Sequence, residues 1–405
     1  MLRNLSFKEL QRSADEYFSQ MKDHTFQLSK PFNNLDECPF LITWLAKLIQ
    51  GGYFLPHHKV LEFGSGSCWL GRLFNQLGME VVSLDISKAA LDIGKKLKAQ
   101  NKVFGTQPEH SFLLYDGEKI DKPNDSFDRV VCFESFHHVH NPSHTLSEFY
   151  RVLKPGGLVA FCEPGPFHSK NHRSQEEMKN YNVIENDIKI EKIWKDAKSL
   201  GFKDIYFTLA MVDFFSLNFK SYLQFKENGL KNEHLKKIIH SIENTHENRT
   251  IFFIQKGEKA LNDSRDSKSL SAKINIIDKK ICTYENKSKF LRIKLKVQNT
   301  GNSNWLPSGN NSGSVNIGVH LFDENIKLID FDFLRHEFSE KIIKPKDKII
   351  FSIDIPLNKS ANKAFFEIDL VSEQILWFAM NGSETIKLFV DSEDGKLTTK
   401  LIENN

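Results

Sequence analysis

VLEFGSGSCW, residues 60–69, joins a short apolar run to two closely spaced glycines and then to residues with helical spacing. A strand, a tight turn and a helix in that order open a βαβ unit. Glycines at 64 and 66 let a ligand approach the backbone closely. A dinucleotide-binding loop would carry G-x-G-x-x-G, but Trp69 stands where its last glycine belongs. Glu62, two places before the first glycine, is foreign to that fingerprint. The nicotinamide reading weakens accordingly.

Working outward, apolar runs of β type alternate with helical patterns at 59–63, 81–85, 111–116, 128–134, 157–163, 205–212 and 250–255. This alternation predicts an α/β, doubly wound, Rossmann-like domain with a seven-stranded parallel sheet, expected over residues 1–257. Helices are expected within 1–58. Ser6 and Glu9 have capping-box spacing ahead of an apolar stripe from Leu10 to Met21, and a second stripe from Phe40 to Ile49 stops at Gly51-Gly52. The long connection 213–248 reads as an insertion of the kind that forms lids or substrate walls. Residues 258–273 are polar and without periodicity, as in a linker. From 274 to 395 the period changes to two, as in Leu291, Ile293, Leu295 and Val297, which predicts an all-β, immunoglobulin-like sandwich.

Glu62-Phe-Gly64-Ser-Gly66 resembles the E/D-x-G-x-G loop of class I methyltransferases that use S-adenosylmethionine (SAM). Asp85 ends the second strand 21 residues after Gly64, close to the ~20 expected of an acidic residue that accepts bonds from ribose hydroxyls. SFDRVVCFESFHHVHNP (126–142) and YRVLKPGGLVAFCEPGP (150–166) resemble the family's fourth and fifth strand regions. The resemblance implies SAM as cofactor, held by Glu62, Gly64, Ser65, Gly66, Asp85, Ile86, Asp116, Gly117 and Glu134, with Asp116-Gly117 placed for the adenine amine. Cys68 departs from the pattern, since many members carry a third glycine there.

Methyl transfer depends mainly on holding the methyl in line with a nucleophile, and a hydroxyl acceptor also benefits from a base. His137 and His138 follow the fourth strand, Glu163 ends the fifth and His168 lies just beyond. Each alone is equally a turn or cap residue, and the cluster carries the catalytic reading. Ser174 and Glu177 again have capping-box spacing, in a segment able to shape an acceptor pocket. No D/N-P-P-Y/F motif follows the fourth strand, which disfavours methylation of nucleic acid or glutamine. Cys38, Cys68, Cys132, Cys162 and Cys282 lie far apart without C-x-x-C pairs, so reduced thiols and no metal are expected.

In the second domain, NTGNSNWLP and DLVSEQILWFAMNG resemble the C-terminal β-sandwich domains of bacterial polysaccharide and O-antigen assembly proteins. Trp305, Trp377 and Phe378 read either as a sugar-stacking platform or as core. The expected function is O-methylation of a sugar or glycan in polysaccharide biosynthesis, with polysaccharide-assembly proteins as partners. Two alternatives stand beside it: methylation of a small non-sugar metabolite, and a non-catalytic glycan-binding scaffold. The 55 basic and 52 acidic residues are interspersed, so nucleic acid is not the expected partner. A charged N-terminus and the lack of an apolar run of ~18–20 residues predict a cytoplasmic chain without a membrane span.

Overall fold

The computed structural model describes residues 5–21, 23–100, 108–211, 216–258, 263–285, 289–357, 363–393 and 396–402. Residues 213–215 of the expected insertion, 259–262 of the expected linker, and 286–288, 358–362 and 394–395 of the expected second domain lie outside the described residues. The chain divides into two compact units, Met1–Ala260 and Leu261–Asn405.

In the first unit the order is α1 (Phe7–Ser19), α2 (Thr25–Ser29), α3 (Cys38–Gly52), β1 (Lys59–Phe63), α4 (Trp69–Gln76), β2 (Glu80–Asp85), α5 (Lys88–Gln100) and β3 (His110–Leu114). Then follow β4 (Phe127–Phe133), α6 (Pro142–Val152), β5 (Leu153–Pro164), α7 (His172–Tyr181), α8 (Ile190–Ser199), β6 (Phe202–Thr208), α9 (Phe219–Asn228), α10 (Asn232–Asn248) and β7 (Arg249–Lys256). The strands form one sheet in the order β3-β2-β1-β4-β5-β7-β6. Successive side chains leave a strand on opposite faces, and both faces here are covered. Leu61, Val130, Phe161 and Phe252 point into one core with α6 and α8, whereas Val60, Val131, Ala160 and Phe253 point into another with α3 and α4. That double burial is why these strands read as continuous apolar runs.

Two local expectations give way to tertiary packing. β7 is antiparallel to both β5 and β6, not parallel. The chain leaves β6 and re-enters β7 at the same end of the sheet, and neighbouring strands joined that way must oppose each other. Helix α3 also runs through Gly51-Gly52 and ends at Tyr53 in the left-handed region (φ 48). The glycines serve packing instead: a Cβ on Gly51 would stand 2.5 Å from the Phe253 ring. The Ser6–Glu9 capping box is formed at α1 with both reciprocal bonds.

The second unit contains β8 (Ala272–Thr283), β9 (Lys289–Asn299), β10 (Val315–Phe322), β11 (Leu328–His336), β12 (Lys348–Leu357), β13 (Lys363–Ser372), β14 (Leu376–Trp377), β15 (Ile386–Glu393) and β16 (Lys396–Ile402). They make two antiparallel sheets, β11-β10-β13-β15-β16 with β14 beside β13, and β12-β9-β8. Leu291, Ile293 and Ile353 from one sheet share a core with Ile317, Val319, Ile368 and Leu388 from the other. Part of the expected linker belongs to this unit, for Ser264 is buried, its carbonyl accepts from the Ser372 hydroxyl at 2.6 Å, and Leu270 lies in the core. The aromatic question is settled in favour of core. Trp305 is fully buried edge-on to Phe378, and Trp377 packs over Gly318 under the Arg335 guanidinium.

Candidate active site

The glycine loop lies at the carboxyl end of β1, beside β4, where the strand order reverses and open α/β sheets bind ligands. Gly64 (φ 65) and Gly66 (φ 51) occupy the left-handed region that side chains avoid. A Cβ on Gly64 would meet Cβ of Ser135 at 2.5 Å, and the Ser135 hydroxyl donates to the Phe63 carbonyl at 2.7 Å, so the loops after β1 and β4 are locked together. A Cβ on Gly66 would meet only Phe18, at 3.5 Å, on the cleft side. Cys68 holds a third left-handed position (φ 58) without being glycine. Ser65 is buried, with its amide donating to the Leu84 carbonyl at 3.0 Å.

Asp85 holds this loop directly. Its two oxygens accept from the Gly66 amide at 2.7 Å and the Ser87 amide at 2.8 Å. Burial pushes its carboxyl up to about 6. Glu62 is buried beneath the loop and accepts from the Ser83 hydroxyl at 2.5 Å, with His110 Nε2 at 2.9 Å on the other side of that hydroxyl. Burial raises Glu62 to about 8, which keeps it neutral at physiological pH.

The loop opens on a cleft of about 1030 Å³, the size range of small-molecule sites. Glu62, Gly64, Ser65, Gly66, Asp85, Ile86, Gly117 and Glu134 all line it, as do His137, His138 and His168. Asp116 does not. Its carboxylate is exposed and caps the following turn through the Glu118 and Lys119 amides, leaving Tyr115, Gly117 and Glu118 to face the cleft from this strand end. Glu134 (φ 51) is ion-paired with Arg249; burial opposes its charge, but the guanidinium outweighs that and holds its carboxyl below the usual range.

The other wall comes from helices. Leu10, Ala14, Tyr17 and Phe18 of α1 face Ser174, Glu177 and Tyr181 of α7 across the cleft mouth, and the rings of Tyr17 and Tyr181 meet edge-on at 5.2 Å. The expected insertion contributes only Asn248 to the lining among the described residues. The α7 cap also differs from expectation. Asn171 caps the helix by accepting from the Ser174 amide at 2.8 Å, which frees the buried Ser174 hydroxyl to face His168 Nε2 at 3.2 Å.

The histidines and Glu163 converge on one spot. Glu163 is fully buried and accepts from the amides of Ser135 (3.1 Å), Phe136 (2.9 Å) and His137 (3.4 Å), so it fixes the short turn after β4. His137 Nδ1 lies 2.7 Å from the same carboxylate. Burial works against charge on His137, but Glu163, and then Glu185 and Glu134, outweigh it and raise its pKa above the ordinary imidazole value. His138 donates Nδ1–H to the Ile184 carbonyl at 2.7 Å, and burial lowers it to about 4, keeping it neutral.

Sequence reasoning missed Glu185 and Arg249. Glu185 comes from the turn-rich segment before α8, reaches the cluster through tertiary contact alone, and lies 2.5 Å from His168 Nε2 and 3.3 Å from His138 Nδ1. No motif marks it. Arg249 opens β7 and stacks on Phe40 while pairing with Glu134.

Residues 61–161 match the family model described as "Methyltransferase domain". Among named relatives, the ubiquinone biosynthesis O-methyltransferase of Pseudomonas entomophila is 28% identical over 132 residues, covering 33% of this chain and 53% of that protein. The demethylmenaquinone methyltransferase of Streptomyces avermitilis is 32% identical over 120 residues, covering 30% and 48%. The chain thus spans about half the length of the curated relatives it matches. Solved structures with likeness include the phosphoethanolamine N-methyltransferase 2 of Haemonchus contortus with SAM (17% identity, 63% of this chain and 60% of that one, TM-score 0.40). Another is a SAM-dependent methyltransferase from Mesorhizobium loti (16% identity, 55% and 100%, TM-score 0.40). The cleft fits the cofactor that such a domain uses: an open Gly66 edge leaves room for a ligand at the backbone, and Asp85 and Glu118 on its lining offer carboxylates to hydroxyl and ammonium groups. The first unit therefore carries a SAM-dependent methyltransferase domain, and its cofactor is S-adenosylmethionine.

Proposed function

We propose that the chain transfers a methyl group from SAM to a hydroxyl oxygen of a small acceptor seated at the histidine end of the cleft. The observation that carries this reading is the pairing of His137 with buried Glu163 on the cleft that also holds the glycine loop. SAM when bound supplies an electrophilic methyl on a sulfonium sulfur. The chain's part is positioning and proton removal. With Nδ1–H donated to Glu163, His137 keeps an Nε2 lone pair free to take the acceptor's proton, the arrangement by which a carboxylate orients a basic imidazole. Glu163 in turn is fixed by three backbone amides, so the base is held in place without motion of its own. Glu62, Gly64, Ser65, Gly66, Asp85, Ile86, Gly117 and Glu134 are the proposed cofactor contacts, while Asp116 acts through the turn that presents Gly117. O-methylation agrees with the name of the first relative given above.

A sugar or glycan terminus remains one acceptor class within this reading. It rests on the resemblance of the second unit, which we read as an immunoglobulin-like sandwich that docks a glycan or a polysaccharide-assembly partner. Burial of Trp305, Trp377 and Phe378 removes the expected stacking platform from that idea, so any glycan contact falls to other surfaces.

The test is a transfer assay with methyl-labelled SAM against nucleotide sugars, glycan fragments and small phenols. His137→Ala should lower turnover by about 10² to 10⁴ while SAM affinity changes little. Full turnover in that variant on every accepted substrate would remove the pair from the chemistry.

A further inference from the structure

We propose that His137, His168 and Glu185 form a binding site for one divalent transition metal ion of the zinc class, set in the acceptor end of the cleft. One ligand atom from each of the three lies within 4.8 Å of the others. Donors bonded at 2.0–2.2 Å to one tetrahedral ion stand roughly 3.4 Å apart, so inward shifts of about an ångström close the site. Two imidazoles and one carboxylate are a donor set that suits zinc and its neighbours, with a fourth position open.

Three features distinguish the cluster from a chance gathering of polar groups. Glu185 has a side chain 1% exposed, and neither of its oxygens makes a well-aligned hydrogen bond, so a buried carboxylate faces the three imidazoles with its charge incompletely answered. His137 carries the outer partner typical of a metal-bound imidazole: its Nδ1 is on Glu163 at 2.7 Å, which turns Nε2 toward Glu185 at 3.9 Å. The geometry is also directional. His137 and His168 line the cleft and Glu185 lies behind them, so the open position of a bound ion faces the acceptor.

Without metal, Asn171 Nδ2 lies 3.1 Å from His168 Nδ1, which accepts from it and leaves the ring proton on Nε2, 2.5 Å from Glu185. An ion at Nε2 takes its place between ring and carboxylate and moves the ring proton to Nδ1, where His168 gives up the bond from Asn171. It also occupies the His137 lone pair. With the ion bound, the acceptor oxygen would sit at the open position with its hydroxyl acidified by the ion, its proton would leave to solvent, and His137 would hold the ion in place of serving as the base. That role rests on the function proposed above; the occupancy does not.

The test uses the full chain, treated with chelator and titrated with zinc chloride in calorimetry without SAM or acceptor. One equivalent should bind saturably, and His168→Ala and Glu185→Gln should each weaken binding at least 10-fold. Cobalt(II) added to the unaltered chain should give the visible absorption of a four- or five-coordinate nitrogen and oxygen site, a readout independent of how the variants fold. No saturable zinc binding, binding in both variants as tight as in the unaltered chain, or a cobalt spectrum of the hexa-aqua ion would each overturn the site. Zinc binding in a chain that transfers no methyl would sink the proposed function and spare the metal, whereas transfer by a chain that binds no zinc would do the reverse.

Discussion

Asp85 shows how one carboxylate can serve a cofactor through the loop it holds as well as by contact. Its oxygens hold the Gly66 and Ser87 amides, so Asp85→Ala leaves both donors unpaired and lets the loop relax. Hydrogen bonds to an ionised partner are worth about 1.5–3 kcal/mol, which predicts a loss in SAM affinity of about 10- to 150-fold, measured by calorimetry on a variant whose circular dichroism is unchanged. Glu62 gives a pH signature. Its ordinary value is 4.5 and the fold raises it to about 8. Between these values the folded chain keeps a proton that the unfolded chain has released, so this contribution is full below 4.5 and is lost as pH rises through 8. Asp85 acts in the same direction, but only from 3.8 to about 6. His110, lowered by burial from 6.5 to about 4, acts in the opposite direction below 6.5. From pH 6.5 to 8, then, Glu62 is the one of the three that titrates. His137, also raised above 6.5, slopes the same way, so melting temperature should fall across that window more steeply in the wild type than in Glu62→Gln; parallel slopes would show that Glu62 is ionised in the fold.

At the level of elements, the join between the glycine loop and α5 is closely packed. A Cβ on Gly94 would stand 2.5 Å from the Cys68 sulfur, directly after the loop. Gly94→Ala should therefore destabilise the chain by about 1–3 kcal/mol, as overpacking does, and weaken SAM binding in the same step; a melting curve that matches the wild type would mean the helix shifts freely. What the sequence reveals at this scale follows from how local each cause is. The glycine loop, the α1 capping box and the β1, β2, β4 and β5 runs were legible because neighbours in sequence create them. The role of Gly51-Gly52 was not, since the Phe253 ring that demands glycine there comes from 200 residues downstream. Ser174 looked like a cap because Asn171, three places earlier, was not weighed as one. Glu185 and Arg249 reach the site only through the fold. Asp116, at the predicted strand end, turns its carboxylate to its own backbone.

Across the whole molecule, every residue that lines the cleft, from Phe7 to Arg249, belongs to the first unit. Each unit also has its own core. The fragment Met1–Ala260 should then fold alone and bind SAM within a few-fold of the full chain. Loss of binding in a folded fragment would mean that the second unit shapes the cleft. Among the described residues no helix is long and apolar enough to cross a membrane. The central claim is that the cleft beside Gly64 and Gly66 is a SAM site, and calorimetry of the full chain with SAM and with S-adenosylhomocysteine tests it without knowledge of the acceptor. The two ligands should compete for one site per chain with similar affinity, because contacts to ribose, adenine and the amino-acid end do not involve the methyl group. A folded chain that binds neither would contradict the account.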